Sequence, residues 1–143
     1  MLNETYSDIL DRNLKNQGKP ALDSAIEALK WAACSGRPLG KEILLTAVQS
    51  NTTDEVTSEN LLTWCRNLLD IDPSGMARFT HSSVREYVES IFTMKEAHTM
   101  AAQVCLDYIP HLQAKCAGFG LYACLYWPFH CDQASLSTGW KST

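Results

Sequence analysis

A histidine stands at a change of pattern in the segment ARFTHSSVREYV, residues 77–88. Residues before His81 alternate in polarity as a short strand does, and those after it recur at helical spacing. A ring at such a junction can cap the following helix and pack at its end. It can also donate a hydrogen bond to a phosphate held by a neighbouring domain. The residues themselves leave both interpretations open.

Six cysteines and four histidines offer other chemistry. Cys116, Cys124, His130 and Cys131 carry the right atoms for zinc but form no C-x-x-C or H-x-x-x-H pair. The adjacent His130 and Cys131 cannot easily face one tetrahedral centre. We therefore expect no metal site, and we expect reduced thiols that are buried or partly exposed. Nothing marks a cysteine as a nucleophile, so we predict no catalytic residues and no enzyme activity.

Nucleotide binding by this chain alone is not expected. No G-x-x-x-x-G-K-[ST] loop occurs, and the nearest segment, SGRPLGKE at 35–42, has the wrong spacing and does not follow a strand. We therefore expect no cofactor in the chain itself.

Length and composition set further limits. A chain of 143 residues that is 45% hydrophobic and 20% charged is typical of one globular domain with a substantial core. The formal net charge of -4 gives no overall positive field for nucleic acid or acidic lipid. No apolar run approaches the about 18 residues of a membrane span, and the first residues do not form a secretory leader. These features predict a cytoplasmic protein without membrane contact.

Apolar spacing predicts the elements that must position His81. Helices are expected within 3–17, 20–36 and 39–49, then a loop, then a helix whose buried stripe runs from Leu61 to Leu69. The turn formers Asp72–Gly75 predict a small β-hairpin within LLDIDPSGMARF.

Two sequence patterns predict helix starts beyond the hairpin. Ser83 with Glu86, and Thr93 with Glu96, fit capping boxes. A last short helix is expected before Pro128, with its aromatic residues mostly in the core.

The order of these elements predicts a mainly α fold. It consists of a winged-helix domain, made of three helices plus a small β-hairpin, with a C-terminal helical extension. The expected divisions are a linker helix at 1–17, the winged-helix domain at 18–92, the extension at 93–131 and a disordered tail at 132–143.

Five segments together resemble a known family: ALDSAIEALKWAACSGRPLGKEILLTAV, LLTWCRNLLDID, MARFTHSSVREYV, EAHTMAAQVCLDYI and YACLYWPFHC. They are similar to the winged-helix region of fungal NACHT-type STAND proteins, a region often labelled after GPI inositol-deacylase. The resemblance covers about residues 1–131. Its most specific parts are RPL at 37–39, FTHSSVREY around His81, and YWPFH near the end.

The resemblance implies a non-catalytic regulatory module of a signalling switch in nonself recognition or programmed cell death. Its implied partner is a NACHT NTPase domain, in cis or in trans, with a repeat domain possible downstream. ADP or ATP would be held by that NTPase domain. The wider class has a Met-His-Asp pattern whose histidine contacts the β-phosphate of ADP. His81 matches that histidine, with Thr80 and Ser82 beside it, and is implied to sense nucleotide when the NTPase domain is present.

The alternative is a stand-alone winged-helix protein that binds DNA. Its expected recognition helix, ENLLTWCRNLLD, offers Arg66 against Glu59 and Asp70, and the hairpin adds Arg78. Such proteins need clustered Lys and Arg to contact phosphates. We therefore expect no nucleic-acid partner.

Overall fold

The computed structural model describes residues 5–112 and 117–138. The described chain is mainly helical, with one two-stranded antiparallel sheet, as the sequence predicts. In chain order the elements are α1 (Tyr6–Asn13), α2 (Lys19–Cys34), α3 (Lys41–Gln49), α4 (Ser58–Trp64), β1 (Leu69–Ile71), β2 (Ala77–Phe79), α5 (Ser82–Ile91), α6 (Met94–Tyr108), a 3-10 turn (Ile109–His111) and α7 (Gly118–Thr138). None of the described helices combines the length and the apolar character needed to cross a bilayer.

Helix α4 is shorter than its apolar pattern predicts. Its N-cap is Thr57, whose hydroxyl accepts from the Asn60 N–H, but the helix ends at Trp64. Asn67 then takes a left-handed conformation, with φ of 68°, which helices do not continue through. The prediction that Leu68 and Leu69 belong to this helix is wrong, because Leu69 already starts β1.

The β-hairpin follows its predicted turn. Leu69 pairs with Phe79 and Ile71 with Ala77. Asp72 stabilises the turn by accepting hydrogen bonds from the N–H groups of Ser74 and Met76. These contacts, together with Gly75 at a φ of 88°, explain why the local sequence is sufficient to predict the turn.

A third segment joins the hairpin just before α3. The Ala77 N–H donates to the Leu39 carbonyl at 2.8 Å, and the Lys41 N–H donates to the Gly75 carbonyl at 3.1 Å. Gly40 and Met76 form an isolated antiparallel bridge. The hairpin is therefore fixed to the loop between α2 and α3.

Helix α5 begins at Ser82, directly after His81, as the sequence predicts, but the expected capping box of Ser83 with Glu86 does not form. The N-cap is His81, two residues before Ser83, so Ser83 lies inside the first turn and does not cap it. The second expected box is confirmed, since Thr93 and Glu96 bond reciprocally at the start of α6.

The prediction that the last helix ends before Pro128 is wrong. Proline in a helix interior removes one backbone bond and costs about 3 kcal/mol, yet α7 continues to Thr138. Tyr122 and His130, on either side of Pro128, are both fully buried. Their packing offsets the local penalty. Residues 132–138 of the expected disordered tail are therefore helical, and 139–143 lie outside the described residues.

The core centres on Trp31 of α2. Its ring is fully buried and lies edge-on to Phe119, Tyr122 and His130, with ring centroids 5.5, 5.9 and 5.9 Å away. All three partners belong to α7. The C-terminal helix thus completes the core built by the N-terminal half.

Candidate functional site

His81 lies at the corner between β2 and α5 with its ring exposed. Its Nδ1 accepts a hydrogen bond from the Ser83 N–H at 3.1 Å and lies 2.8 Å from the Ser83 hydroxyl oxygen. A neutral imidazole that accepts at Nδ1 carries its proton on Nε2. The ring therefore caps the helix with one nitrogen and keeps an N–H donor on the other.

The corner is held in place from both sides. The Thr80 hydroxyl donates to the Asn67 carbonyl at 2.9 Å. The Ser83 hydroxyl lies 2.6 Å from the hydroxyl of Tyr6 in α1. These bonds fix the direction of the His81 ring relative to α5.

His81 borders an open pocket of about 510 Å³. The basic pocket, as we call it, is lined by His81, Ser82 and three arginines that come from separate segments: Arg37, Arg78 and Arg85. Ser82, which lines the same pocket, is the first residue of α5.

Two of the arginines are held by other side chains. Arg85 donates to the Ala33 carbonyl at 3.1 Å and to Glu89 at 3.5 Å, and its guanidinium lies 5.4 Å from the centre of the Phe79 ring. Arg78 is paired with Asp72. The Ser74 hydroxyl and then Arg78 hold the pKa of Asp72 well below its usual range, so this carboxylate stays charged.

Arg37 enters the pocket from the loop after α2. Its guanidinium lies 5.9 Å from the centre of the Tyr126 ring, and it has no ion-pair partner within 5–112 and 117–138. Glu89 and Asp72 thus pair with two of the three guanidinium groups. The basic pocket keeps excess positive charge, although the whole chain is acidic.

The pocket can bind a phosphate-sized anion. Guanidinium groups bind phosphate oxygens through charge-assisted hydrogen bonds, and the Nε2–H of His81 supplies one more donor.

A second polar cluster lies in the core behind the pocket. The Gly36 N–H donates to the Tyr122 oxygen at 2.9 Å, and the Tyr122 hydroxyl lies 2.8 Å from His130 Nε2. His130 Nδ1 in turn lies 2.9 Å from His98 Nδ1.

The hydrogen bond between the two Nδ1 atoms requires a proton on one of them. When the Tyr122 hydroxyl donates to His130 Nε2, His130 carries its proton on Nδ1 and donates it to His98. Burial lowers the pKa of His130 to about 4 and also lowers that of His98. Both imidazoles are therefore neutral at pH 7.

Among the described residues, Cys124, His130 and Cys131 do not form a group of potential metal ligands. Cys124 and Cys131 are half-buried, and Cys116 lies outside the described residues. His130 instead meets two partners from distant positions, Cys34 and His98. One ligand atom from each of these three side chains lies within 4.8 Å of the others.

Sequence reasoning placed His81 at its corner but missed the groups around it. From the sequence, Arg85 is expected on a solvated helix face. Arg37 and Arg78 are 41 positions apart, so their spacing does not group them. His98 gives no signal, because 32 positions separate it from His130. The packing of α6 against α7 brings the two histidines together.

The aromatic residues near the end of the chain divide between core and surface. Tyr122 is fully buried and Tyr126 is half-buried. Trp127 and Phe129 are each 37% exposed, so this end of α7 presents apolar surface.

No protein-family model matches the chain, and no curated protein or solved structure is significantly similar to it. Function must therefore be argued from the basic pocket and the elements that build it.

Proposed function

We propose that the chain is a winged-helix regulatory module of a NACHT-type STAND switch, acting in the cytoplasm without catalysis of its own. In this role it lies against an NTPase domain and responds to the nucleotide that this domain holds. The switch serves nonself recognition or programmed cell death. The observation that carries the proposal is that His81 caps α5 through Nδ1 while its exposed side chain lines one pocket with three arginines.

The order of elements supports this assignment. Helices α2, α3 and α4 precede a hairpin, and the segment Leu39–Gly40 pairs with that hairpin before α3 begins. This is the arrangement expected for a winged-helix domain. Helices α6 and α7 then form the C-terminal helical extension.

The pocket supports a phosphate as the group that is sensed. It contains donors but lacks the glycine-rich loop that would wrap a nucleotide, so the affinity must come mainly from another domain. The module would add contacts to one face of a phosphate already bound. Such contacts couple nucleotide state to the docking of the module, because each stabilises the other.

Nucleotide retention in a complex tests the proposal. The chain would be co-expressed with the NTPase domain of a NACHT-type protein from the same genome, and ADP per purified complex would be measured. We expect a complex that retains ADP, and faster ADP release when His81→Asn is introduced. His111→Asn, at an exposed histidine outside the basic pocket, is the matched control.

Two results would contradict the proposal. One is that no complex forms with any such NTPase domain. The other is that ADP release is the same for His81→Asn and for the control.

A further inference from the structure

Three potential metal ligands meet in the core without forming any part of the basic pocket. Cys34 ends α2, His98 lies in α6 and His130 lies in α7. All three side chains are buried, with 2%, 6% and 0% of their surface exposed. Soft thiolate and imidazole ligands of this kind favour Zn²⁺ or Cu⁺.

The distances fit a metal after a small adjustment. His98 Nδ1 and His130 Nδ1 are 2.9 Å apart, and the Cys34 sulfur completes a group within 4.8 Å. Metal–nitrogen bonds of about 2.0 Å and metal–sulfur bonds of about 2.3 Å separate the ligand atoms by roughly 3.5 Å. The two nitrogens would move apart slightly, and the sulfur would move inward.

The outer hydrogen bonds are also those of a metal site. Histidine ligands usually donate their second N–H to a fixed acceptor, which orients the ring. The Tyr122 oxygen stands 2.8 Å from His130 Nε2, on the side of the ring opposite His98. Since Tyr122 lies behind the ring, it cannot serve as a fourth ligand.

The number and charge of the ligands distinguish the two candidate ions. Structural zinc is almost always four-coordinate, whereas these residues supply three ligands in a closed part of the core. A Cys34 thiolate would neutralise Cu⁺ but would leave Zn²⁺ with a buried positive charge, which is costly. The charged groups closest to Cys34, Lys30 and Arg85, are cations and add to that cost. We propose that Cys34, His98 and His130 form a three-coordinate Cu⁺ site.

Binding of Cu⁺ displaces one proton from the three ligands. The Cys34 thiol loses its proton to solvent, so the thiolate cancels the charge of Cu⁺. The proton on His130 moves from Nδ1 to Nε2 and is donated to the Tyr122 oxygen, so the Tyr122 O–H rotates away from Nε2. Both imidazoles stay neutral, and binding releases one proton for each Cu⁺.

Competition for Cu⁺ under anaerobic conditions tests the site. To leave only the buried Cys34, Cys65 and Cys105, the assay would use the full chain carrying Cys116→Ser, Cys124→Ser and Cys131→Ser, with bicinchoninic acid as competitor. We expect one Cu⁺ per chain and at least a 100-fold loss of affinity when Cys34→Ser is added, since even outer-sphere changes cost about 10–100-fold.

Cys65→Ser is the matched control. Cys65 and Cys34 are both buried, and their sulfurs lie 3.8 and 3.7 Å from the carbonyls of Ala25 and Ala97. Burial raises the pKa of each thiol to about 12. The two substitutions should perturb the core alike, so only the loss of a ligand distinguishes their Cu⁺ affinities.

X-ray absorption at the copper edge provides a second measurement that needs no variant at Cys34. We expect one sulfur and two imidazole nitrogens around the ion. Equal Cu⁺ affinity of the Cys34→Ser and Cys65→Ser proteins, or a spectrum without that ligand set, would overturn the site. Displacement of Cu⁺ from the chain to bicinchoninic acid by an equimolar amount of Zn²⁺ would overturn the choice of ion.

Discussion

The backbone N–H of Gly36 and the phenol oxygen of Tyr122 are joined by a hydrogen bond of 2.9 Å across 86 positions of sequence. Gly36 precedes Arg37 in the basic pocket, and Tyr122 belongs to the buried cluster of α7. This bond therefore connects the surface site to the core.

Removing the Tyr122 hydroxyl should destabilise the protein. Tyr122→Phe leaves the Gly36 N–H and His130 Nε2 without their partner, and buried unpaired groups cost about 1–3 kcal/mol. Urea unfolding would measure the loss. Tyr126→Phe is the control, because the hydroxyl of half-buried Tyr126 has no hydrogen bond within the described ranges. Equal stabilities of the two variants would contradict the expectation.

A methyl group at position 36 should be poorly tolerated. In Gly36→Ala the new Cβ would lie 2.4 Å from Cδ1 of the Tyr126 ring, far inside van der Waals contact. We expect a loss of about 1–3 kcal/mol in unfolding free energy. In a Tyr126→Ala background the same substitution should cost much less. If the cost were unchanged, the ring would not be its cause.

Two substitutions should separate the roles of His81. His81→Ala removes the N-cap and should cost about 1 kcal/mol of stability, whereas His81→Asn keeps a capping acceptor and should cost little. Both remove the outward Nε2–H, so both should weaken pyrophosphate binding. Amide chemical shifts at Ser82 and Ser83, followed by NMR, would measure that affinity. Undiminished binding by His81→Asn would show that the ring only caps the helix.

The carboxyl group of Glu27 should make stability depend on pH. Burial raises its pKa to about 7, against the lowering effects of its hydrogen bond from Asn51 and of Lys30. Because the folded pKa exceeds that of the unfolded chain, the contribution is present below about pH 4.5 and is lost as pH rises through 7.

Glu27→Gln should remove the loss of folding stability that ionisation of Glu27 causes at high pH. It should raise stability by about 1 kcal/mol at pH 8 and change it little at pH 5, after allowance for partial exposure of the group. Urea unfolding at both pH values would measure the difference. Glu86→Gln, at an exposed position of α5, is the control for the loss of one carboxylate from the chain. A gain for Glu27→Gln that is the same at both pH values would contradict the prediction.

DNA should bind weakly and without sequence preference. Helix α4 has seven residues with Glu59 in its first turn, and Arg78 of the hairpin is already paired with Asp72. Titration of labelled duplex at low and moderate salt should give only the about 10⁻⁴–10⁻⁶ M affinities of non-specific binding. Tight binding with a steep salt dependence would favour the DNA-binding alternative.

Local signals predict the parts of the fold that local bonds stabilise. The turn Asp72–Gly75 and the box of Thr93 with Glu96 form as expected, because each is satisfied within a few residues. Pro128 led to the wrong end for the last helix. The energetic penalty of this proline is local, whereas the packing that offsets it involves Trp31 in α2.

The same distinction applies to the candidate site: its local features could be predicted, and its contacts between distant segments could not. The corner at His81 could be predicted, because a change of period and a cap are features of adjacent residues. The arginines could not be grouped around it, since Arg37 arrives from another loop. The pair His98 and His130 depends entirely on how α6 and α7 pack.

Trp31 is covered by α7 only late in the synthesis of the chain. A ribosome releases the chain from its N-terminus, so the indole of Trp31 remains uncovered until residues 119–130 have emerged. The helices and hairpin that emerge earlier therefore fold without α7, and the apolar groove around Trp31 stays open to chaperones. In stalled nascent chains carrying Trp64→Phe, Trp127→Phe and Trp140→Phe, the fluorescence of Trp31 would shift to the blue only after His130 leaves the exit tunnel.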